Sequence, residues 1–199
     1  MNAVALPSYP SRPISVGRWE IASKVWWPRQ EQGKWHFQMK LNGWRAIVHC
    51  PTGTMFNRHG ERLSIAKEFS EALDKLKSSP FFWLDCEALE RRHSIGKGSL
   101  IVLDWMVDGL ADHCYRRAKL EDHFGSTEPS DMTGENEVHL IAEHAIPGQV
   151  WDEAKALNAK LGCEFTEGLI GRKVDACYSF QLNTPDKETA AMIKSRWRF

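Results

Sequence analysis

Along this 199-residue chain the spacing of apolar positions changes several times, and each change predicts an element. From Lys34 to Cys50 two β-rich runs, WHFQMK and WRAIVH, flank a turn containing Gly43, and a third short strand follows near Thr54 to Arg58. Ile65, Phe69, Leu73 and Leu76 then recur at helical spacing, with Ser64 as the N-cap. FFWLDCEAL and SLIVLDWMV read as strands separated by the polar turn ERRHSIGKG, and Tyr115 to Phe124 as a short helix. Residues 125–137 lack an apolar period and read as a surface loop, and Val138 to Ile146 as a strand. Trp151, Ala154, Leu157 and Leu161 make an amphipathic helix closed by Gly162, after which EGLIGRK, YSFQL and AMIKSRW form three short strands. The opening segment, with Pro7, Pro10 and Pro13, reads as an extended tail. The expected organisation is a tail over 1–13 and one domain over 14–199. Its class is α+β, with antiparallel sheets flanked by helices.

Composition narrows the partners. A 42% hydrophobic chain of this length buries one substantial core, and 26 basic residues cancel 26 acidic ones, so no global field draws it to a polyanion. Contact with nucleic acid has to come from local clusters: Arg91, Arg92 and Lys97; Arg116, Arg117 and Lys119; Arg172 and Lys173; Lys194, Arg196 and Arg198. Most such runs are solvated faces. The five cysteines are scattered without a CxxC pair or a histidine at finger spacing, which argues against a zinc site and a disulfide scaffold. No leader-like or membrane-spanning run is present, so the expectation is a soluble, cytoplasmic (or nucleoid-associated) protein with no membrane partner.

The stretch richest in chemistry is Lys40-Leu-Asn-Gly-Trp-Arg45, an amine at the end of a β-run followed by a glycine turn and a guanidinium. It resembles the first motif, K-x-D-G-x-R, of the covalent nucleotidyltransferases: ATP-dependent DNA and RNA ligases and mRNA capping enzymes. Later segments resemble that family's motifs in order. They are Asn57-Arg58-His59-Gly60, Leu84-Asp85-Cys86-Glu87, Ile101 to Asp104 with Trp105, Glu167 to Lys173, and Lys194-Ser195-Arg196. The resemblance spans roughly Gln38 to Arg196.

It implies an ATP-grasp-like adenylation domain of the DNA ligase type, using ATP as AMP donor with Mg²⁺ or Mn²⁺. Lys40 would attack the α-phosphorus, for which it must be unprotonated, and the lysyl-AMP would pass to a 5′-phosphate end of nicked DNA. Arg45 and Lys194 are the other catalytic candidates. Gln38, Arg58, Glu87, Leu103, Lys173 and Arg196 are candidates for holding the nucleotide, with Gln38 reading the adenine edge. Glu87 and Glu167 offer the hard oxygen ligands that suit Mg²⁺. Of nine tryptophans, most belong to packing, with Trp44 and Trp105 the two candidates for stacking on a base.

The chain departs from the family in four ways. Asn42 stands where the motif has aspartate, Leu103 where an aromatic stacks on adenine, and Arg196 where a lysine closes the last motif. The sequence also ends three residues after Arg196, where ligases continue into an OB-fold domain, so the expectation is that either a protein partner replaces that domain or activity is minimal. The alternatives are an RNA ligase, a GTP-using capping enzyme, and a degenerate module that binds nucleotides or nucleic-acid ends without catalysis.

Overall fold

The computed structural model describes residues 4, 9–89, 94–107, 109, 111–178, 180–181 and 187–197. In chain order the elements are β1 (Tyr9–Pro10), β2 (Arg12–Ser15), α1 (Trp19–Val25), β3 (Trp35–Leu41), β4 (Trp44–His49), β5 (Thr54–Phe56), α2 (Ser70–Lys77), β6 (Trp83–Leu89), β7 (Ser99–Trp105), α3 (His113–Phe124), β8 (Val138–Leu140), α4 (Pro147–Leu161), β9 (Thr166–Lys173), β10 (Phe180–Gln181) and β11 (Glu188–Arg196). This is the expected α+β class.

Two sheets organise the molecule: β2-β11-β9-β3 and β5-β4-β6-β7-β8, with β1 paired to β10 apart from both. They are mostly antiparallel, but β2 lies parallel to β11 and β8 parallel to β7. The runs on either side of Gly43 form β3 and β4, which do not pair with each other. β3 pairs with β9, whereas β4 pairs with β5 and β6. The turn at Asn42 and Gly43 therefore carries the chain from one sheet to the other.

Period-two alternation decides which faces meet. On β3, Phe37, Met39 and Leu41 join Leu169 and Ile193 against Trp19 and Ala22 of α1 and Val150, Trp151, Ala154 and Leu157 of α4. The residues between them, His36, Gln38 and Lys40, face the second sheet. On that sheet Ala46, Val48, Leu84, Cys86, Ala88, Leu100 and Val102 pack against Ala72, Leu73 and Leu76 of α2 and Leu120 of α3. Its opposite face turns Asp85, Glu87 and Leu103 toward the first sheet. The cleft between these two polar-bearing faces is where the fold can hold a ligand.

Several local expectations need correction. Within the opening segment Tyr9–Pro10 and Arg12–Ser15 are hydrogen-bonded into strands, and Pro7 lies outside the described residues. α1, unforeseen, is a seven-residue helix that buries only Trp19 and Ala22, too few positions to show a period. Ser64 opens a 3-10 segment, Ser64–Phe69, without a side-chain cap, and the α-helix begins at Ser70; Ile65 and Phe69 are buried all the same. The strand foreseen over Val138 to Ile146 stops at Leu140. In the loop before it Met132 is fully buried. Gly162 does close α4 in the left-handed conformation, at φ 66°.

Candidate nucleotide-transfer site

Register explains how charge gathers at one end of the cleft. Lys40 and Arg196 both lie opposite Gly168, on either side of β9, and Gln38 and Lys194 both lie opposite Ile170. Residues opposed across a ladder share a face, so Gln38, Lys40, Lys194 and Arg196 all line the cleft. Simple alternation would send Glu167 to the other face. Between Lys40 and Leu41 the register slips by one residue of β9, and Glu167 is the extra residue. That irregularity re-aims its side chain, and its carboxylate accepts a hydrogen bond from Lys40 Nζ and lies 3.3 Å from Arg196 Nη2. Gly168 makes the slip possible: at φ 148° it has a conformation L side chains avoid, and a Cβ there would stand 1.9 Å from the Ser195 carbonyl oxygen.

The second sheet contributes Glu87. Its Oε1 accepts the Gly43 backbone N–H at 3.0 Å, and a Cβ on Gly43 would come within 2.7 Å of Glu87 Cγ and of the Ala88 carbonyl oxygen, so only glycine fits this turn. Burial pushes the Glu87 carboxyl up from its ordinary range, and Lys40, the Gly43 N–H and Arg45 offset only part of that. Lys194 is shifted the opposite way. Burial, then the neighbouring cations Arg12, Arg196 and Lys40, pull its ammonium below the ordinary lysine value. Arg12, brought in by β2, is a cation the sequence reading had not associated with this site.

Deeper in the cleft the charges are fully paired. Asp104 receives Arg116 Nε at 2.9 Å and Arg172 Nη1 at 3.2 Å. Burial raises its carboxyl, but the two guanidinium groups overcome this and hold it below the usual range. The cavity beside it, lined by His113, Arg172, Tyr178 and others, has a volume of about 20 Å³, room for one water and no more. Gln38 reaches toward this end: its Nε2 donates to Glu143 Oε1 at 2.6 Å and to the Leu103 carbonyl at 3.4 Å. Gln38 and Leu103 are thus neighbours, and Glu143 is a partner that no spacing in the sequence announced.

Three further candidates are held in surroundings of their own. Arg45 is engaged by Asp85, at 2.9 Å from Nε and 2.6 Å from Nη2, and donates to the Ser11 carbonyl at 3.0 Å. Burial disfavours its charge, but Asp85 more than restores it, so its pKa lies above the ordinary arginine value. Tyr178 completes that buried group with a 2.9 Å bond to Asp85. Lys173 sits over the Trp35 ring, five positions along β9 from Gly168 and so about 17 Å from the Lys40 row at ~3.4 Å per residue. Within Glu167 to Lys173, Arg172 is the cation that turns into the cleft. Arg58 is exposed in a turn organised by Asn57, whose Oδ1 accepts from the backbone of His59 and Glu61.

Two of the basic clusters are not solvated faces, since Arg116, Arg117 and Arg172 are buried in ion pairs and carbonyl contacts. Arg91, Arg92 and Arg198 lie outside the described residues. Trp105 packs on Phe81, on the α2 side of its sheet, while Trp44 is 42% exposed. Asn42 anchors its turn by donating its side-chain amide to the Glu164 carbonyl at 2.8 Å. No helix among the described residues is long and apolar enough to cross a membrane.

The chain matches no family model and no curated protein by sequence. Its fold, however, is found in solved DNA ligases. It is similar to the ligase domain of M. tuberculosis LigD at TM-score 0.61 and 15% identity, over 95% of this chain and 59% of that one. A mycobacterial DNA ligase D complexed with ATP and MES gives TM-score 0.59 at 17% identity, over 96% and 60% of the two chains. Chlorella virus DNA ligase-adenylate gives 0.54 at 14% identity, over 88% and 64%. The chain thus has the fold of ligase nucleotidyltransferase domains and spans 59–60% of the length of the two mycobacterial chains.

Proposed function

Taking the ligase nucleotidyltransferase fold as the starting point, we propose that this chain is the adenylation core of an ATP-dependent polynucleotide ligase and that Lys40 is its nucleophile. One observation carries the reading: Lys40, Glu167, Lys194 and Arg196, drawn from three strands, converge on one face opposite the buried Glu87.

In the reaction the Lys40 ammonium first gives up a proton, to the Glu167 carboxylate already bonded to it or through it to water. The freed lone pair attacks the α-phosphorus of ATP, a P–N bond forms, and the bond to pyrophosphate breaks with its electrons leaving on oxygen. A 5′-phosphate oxygen then displaces the lysine, and a 3′-hydroxyl displaces AMP to close the strand. Lys194 and Arg196 supply positive charge where phosphate oxygens gain negative charge, an effect strongest in a site screened from water. With its nitrogen held by Glu143 and Leu103, Gln38 keeps its amide oxygen for the adenine amino group.

Glu87 and Glu167 fit a magnesium ion. Their oxygens are the hard ligands Mg²⁺ prefers, and the upward shift that burial imposes on Glu87 is the kind of penalty a divalent cation removes. When bound there, the ion would neutralise phosphate charge; Mn²⁺ suits the same donors. Nicked DNA is the substrate we favour.

A second reading, a module that binds nucleotide or nucleic-acid ends without transfer, draws on Asn42. Its amide donates to Glu164, a bond that the aspartate of the family motif could not make. Incubating the chain with α-labelled ATP and Mg²⁺, then chasing with a nicked duplex carrying DNA or RNA at the 5′-phosphate side, separates the possibilities. Label that stays on the denatured wild-type chain, is missing from Lys40→Ala and moves to a DNA nick supports the ligase. Preferential chase to RNA makes the chain an RNA ligase, labelling by GTP alone a capping-type enzyme, and no labelling at all a binding module.

A further inference from the structure

Behind Gln38, away from the Lys40 end, three residues from distant segments point at one another. They are His36 on β3, His113 at the first position of α3, and Glu143 in the connector between β8 and α4. Each offers one ligand atom, and these atoms all lie within 4.8 Å of one another. We propose that His36, His113 and Glu143 form a binding site for a transition-metal ion of the Zn²⁺ type. This inference is independent of the chemistry assigned to Lys40 and of the carboxylates Glu87 and Glu167.

Geometry comes first. Glu143 Oε2 lies 2.9 Å from His113 Nε2 and 3.3 Å from His36 Nδ1. Zn–ligand bonds of about 2.1 Å in a tetrahedron separate ligand atoms by ~3.4 Å, so both edges are close to what an ion requires. The third edge, between the imidazoles, closes by at most about 1.4 Å, and His36 is the ligand able to move, since its side chain is 38% exposed. The other two are rigidly set at 1% and 5% exposure.

The surroundings suit a ligated state. Glu143 faces His113 Nε2 with both oxygens, Oε1 at 3.0 Å and Oε2 at 2.9 Å; Oε1 also accepts from Gln38 at 2.6 Å and has Arg117 Nη1 at 3.9 Å, whereas Oε2 is the oxygen that also meets His36. Arg117 is otherwise committed to Glu121, Ser126 and the Ile141 carbonyl, so it does not need the oxygen a metal would take. His113 Nδ1 is buried without a hydrogen-bond partner, and Asp104 Oδ2 stands 3.9 Å from it. If Nε2 gives its lone pair to a metal, Nδ1 must carry the hydrogen and direct it toward that carboxylate, the carboxylate–histidine–metal arrangement of ligating imidazoles. Two neutral imidazoles and one carboxylate are the donor set that suits Zn²⁺, Co²⁺ and Ni²⁺ rather than Mg²⁺. No spacing in the sequence could signal this, because one strand, one helix start and one loop each supply a single ligand.

Bound there, the ion would tie the first sheet to α3 and to the loop ahead of α4, and would fix the carboxylate that holds the Gln38 nitrogen. The test uses the full chain carrying Cys114→Ser and Cys177→Ser, which removes the two exposed thiols as competing ligands. After treatment with a chelator it is titrated with Co²⁺, whose visible spectrum reports coordination, and then with Zn²⁺. We expect one equivalent of Co²⁺, a four-coordinate spectrum without a thiolate band, displacement by Zn²⁺, and a rise in Tm on binding. His36→Ala and Glu143→Gln should each lose that equivalent, while Lys40→Ala keeps it. His36 sits at the rim, so its replacement leaves the core closed even if the Glu143 variant folds poorly. Absence of binding in the parent chain, or equal binding in the parent and His36→Ala, overturns the proposal.

Discussion

The two ends of the inter-sheet cleft are built from similar side chains and treat charge in opposite ways. At the inner end Asp104 is clasped by Arg116 and Arg172, all with little exposure. At the outer end four cations, Arg12, Lys40, Lys194 and Arg196, face two carboxylates, Glu87 and Glu167. The difference separates scaffold from function. Buried ions that are fully paired hold elements together and offer a ligand nothing, whereas an excess of one sign at an accessible rim is stabilised only when a counter-charge arrives. A polyanion such as a nucleotide triphosphate is that counter-charge.

Cutting each end in turn sharpens the contrast. The largest expected effect on stability is at the inner end: Asp104→Ala strands two buried guanidinium groups and should lower the unfolding free energy by about 3–5 kcal/mol, read from denaturant melts. Next is Lys194→Ala at the outer end, which should slow protein labelling by ATP about 10²–10³-fold, the usual effect of deleting one charge-stabilising donor. Its unfolding free energy should not fall, because Lys194 is held below its ordinary value by burial and by like charges, and removing it relieves both. Equal loss of stability in the two variants would erase the distinction.

The smallest effect is a change in pH dependence. Glu143 titrates well below its ordinary value of 4.5: burial raises it, but the hydrogen bonds from His113 and His36 outweigh that. Its contribution is therefore complete above 4.5 and lost as pH falls through the lower folded value. His36 is raised above 6.5, chiefly by its bond to Glu143. Its contribution is complete below 6.5 and disappears as pH rises through the higher folded value. Glu143→Gln should flatten both the acid and the near-neutral limbs of Tm against pH, in the absence of added metal, while Glu167→Gln leaves those limbs as they are.

What the sequence made legible follows this division. The outer cluster could be read because its members fall in short motifs with fixed spacing, and strand register then aligned Lys40 with Arg196 and Gln38 with Lys194. Charge alone misled where facing mattered. Arg116, Arg117 and Arg172 read as solvated runs yet lie inside, and of the adjacent pair Arg172 and Lys173 the second lies over Trp35 while the first turns into the cleft. Linear spacing cannot say which of two adjacent cations turns inward when a β-irregularity shifts the alternation, as it does at Glu167. Nor could it show that β3 and β4, flanking a tight glycine turn, belong to different sheets. His36, His113 and Glu143 were invisible for a simpler reason: each is a lone residue on its own element.

Everything at the outer end depends on one nitrogen being open to a nucleotide phosphate, and intact-mass measurement after incubation with ATP and a divalent cation, followed by peptide mapping, tests that directly. A single AMP adduct mapped to the peptide containing Lys40, and lost in Lys40→Ala, is the predicted result. An adduct on any other residue, or an unmodified chain with Mg²⁺ and with Mn²⁺ alike, would contradict it.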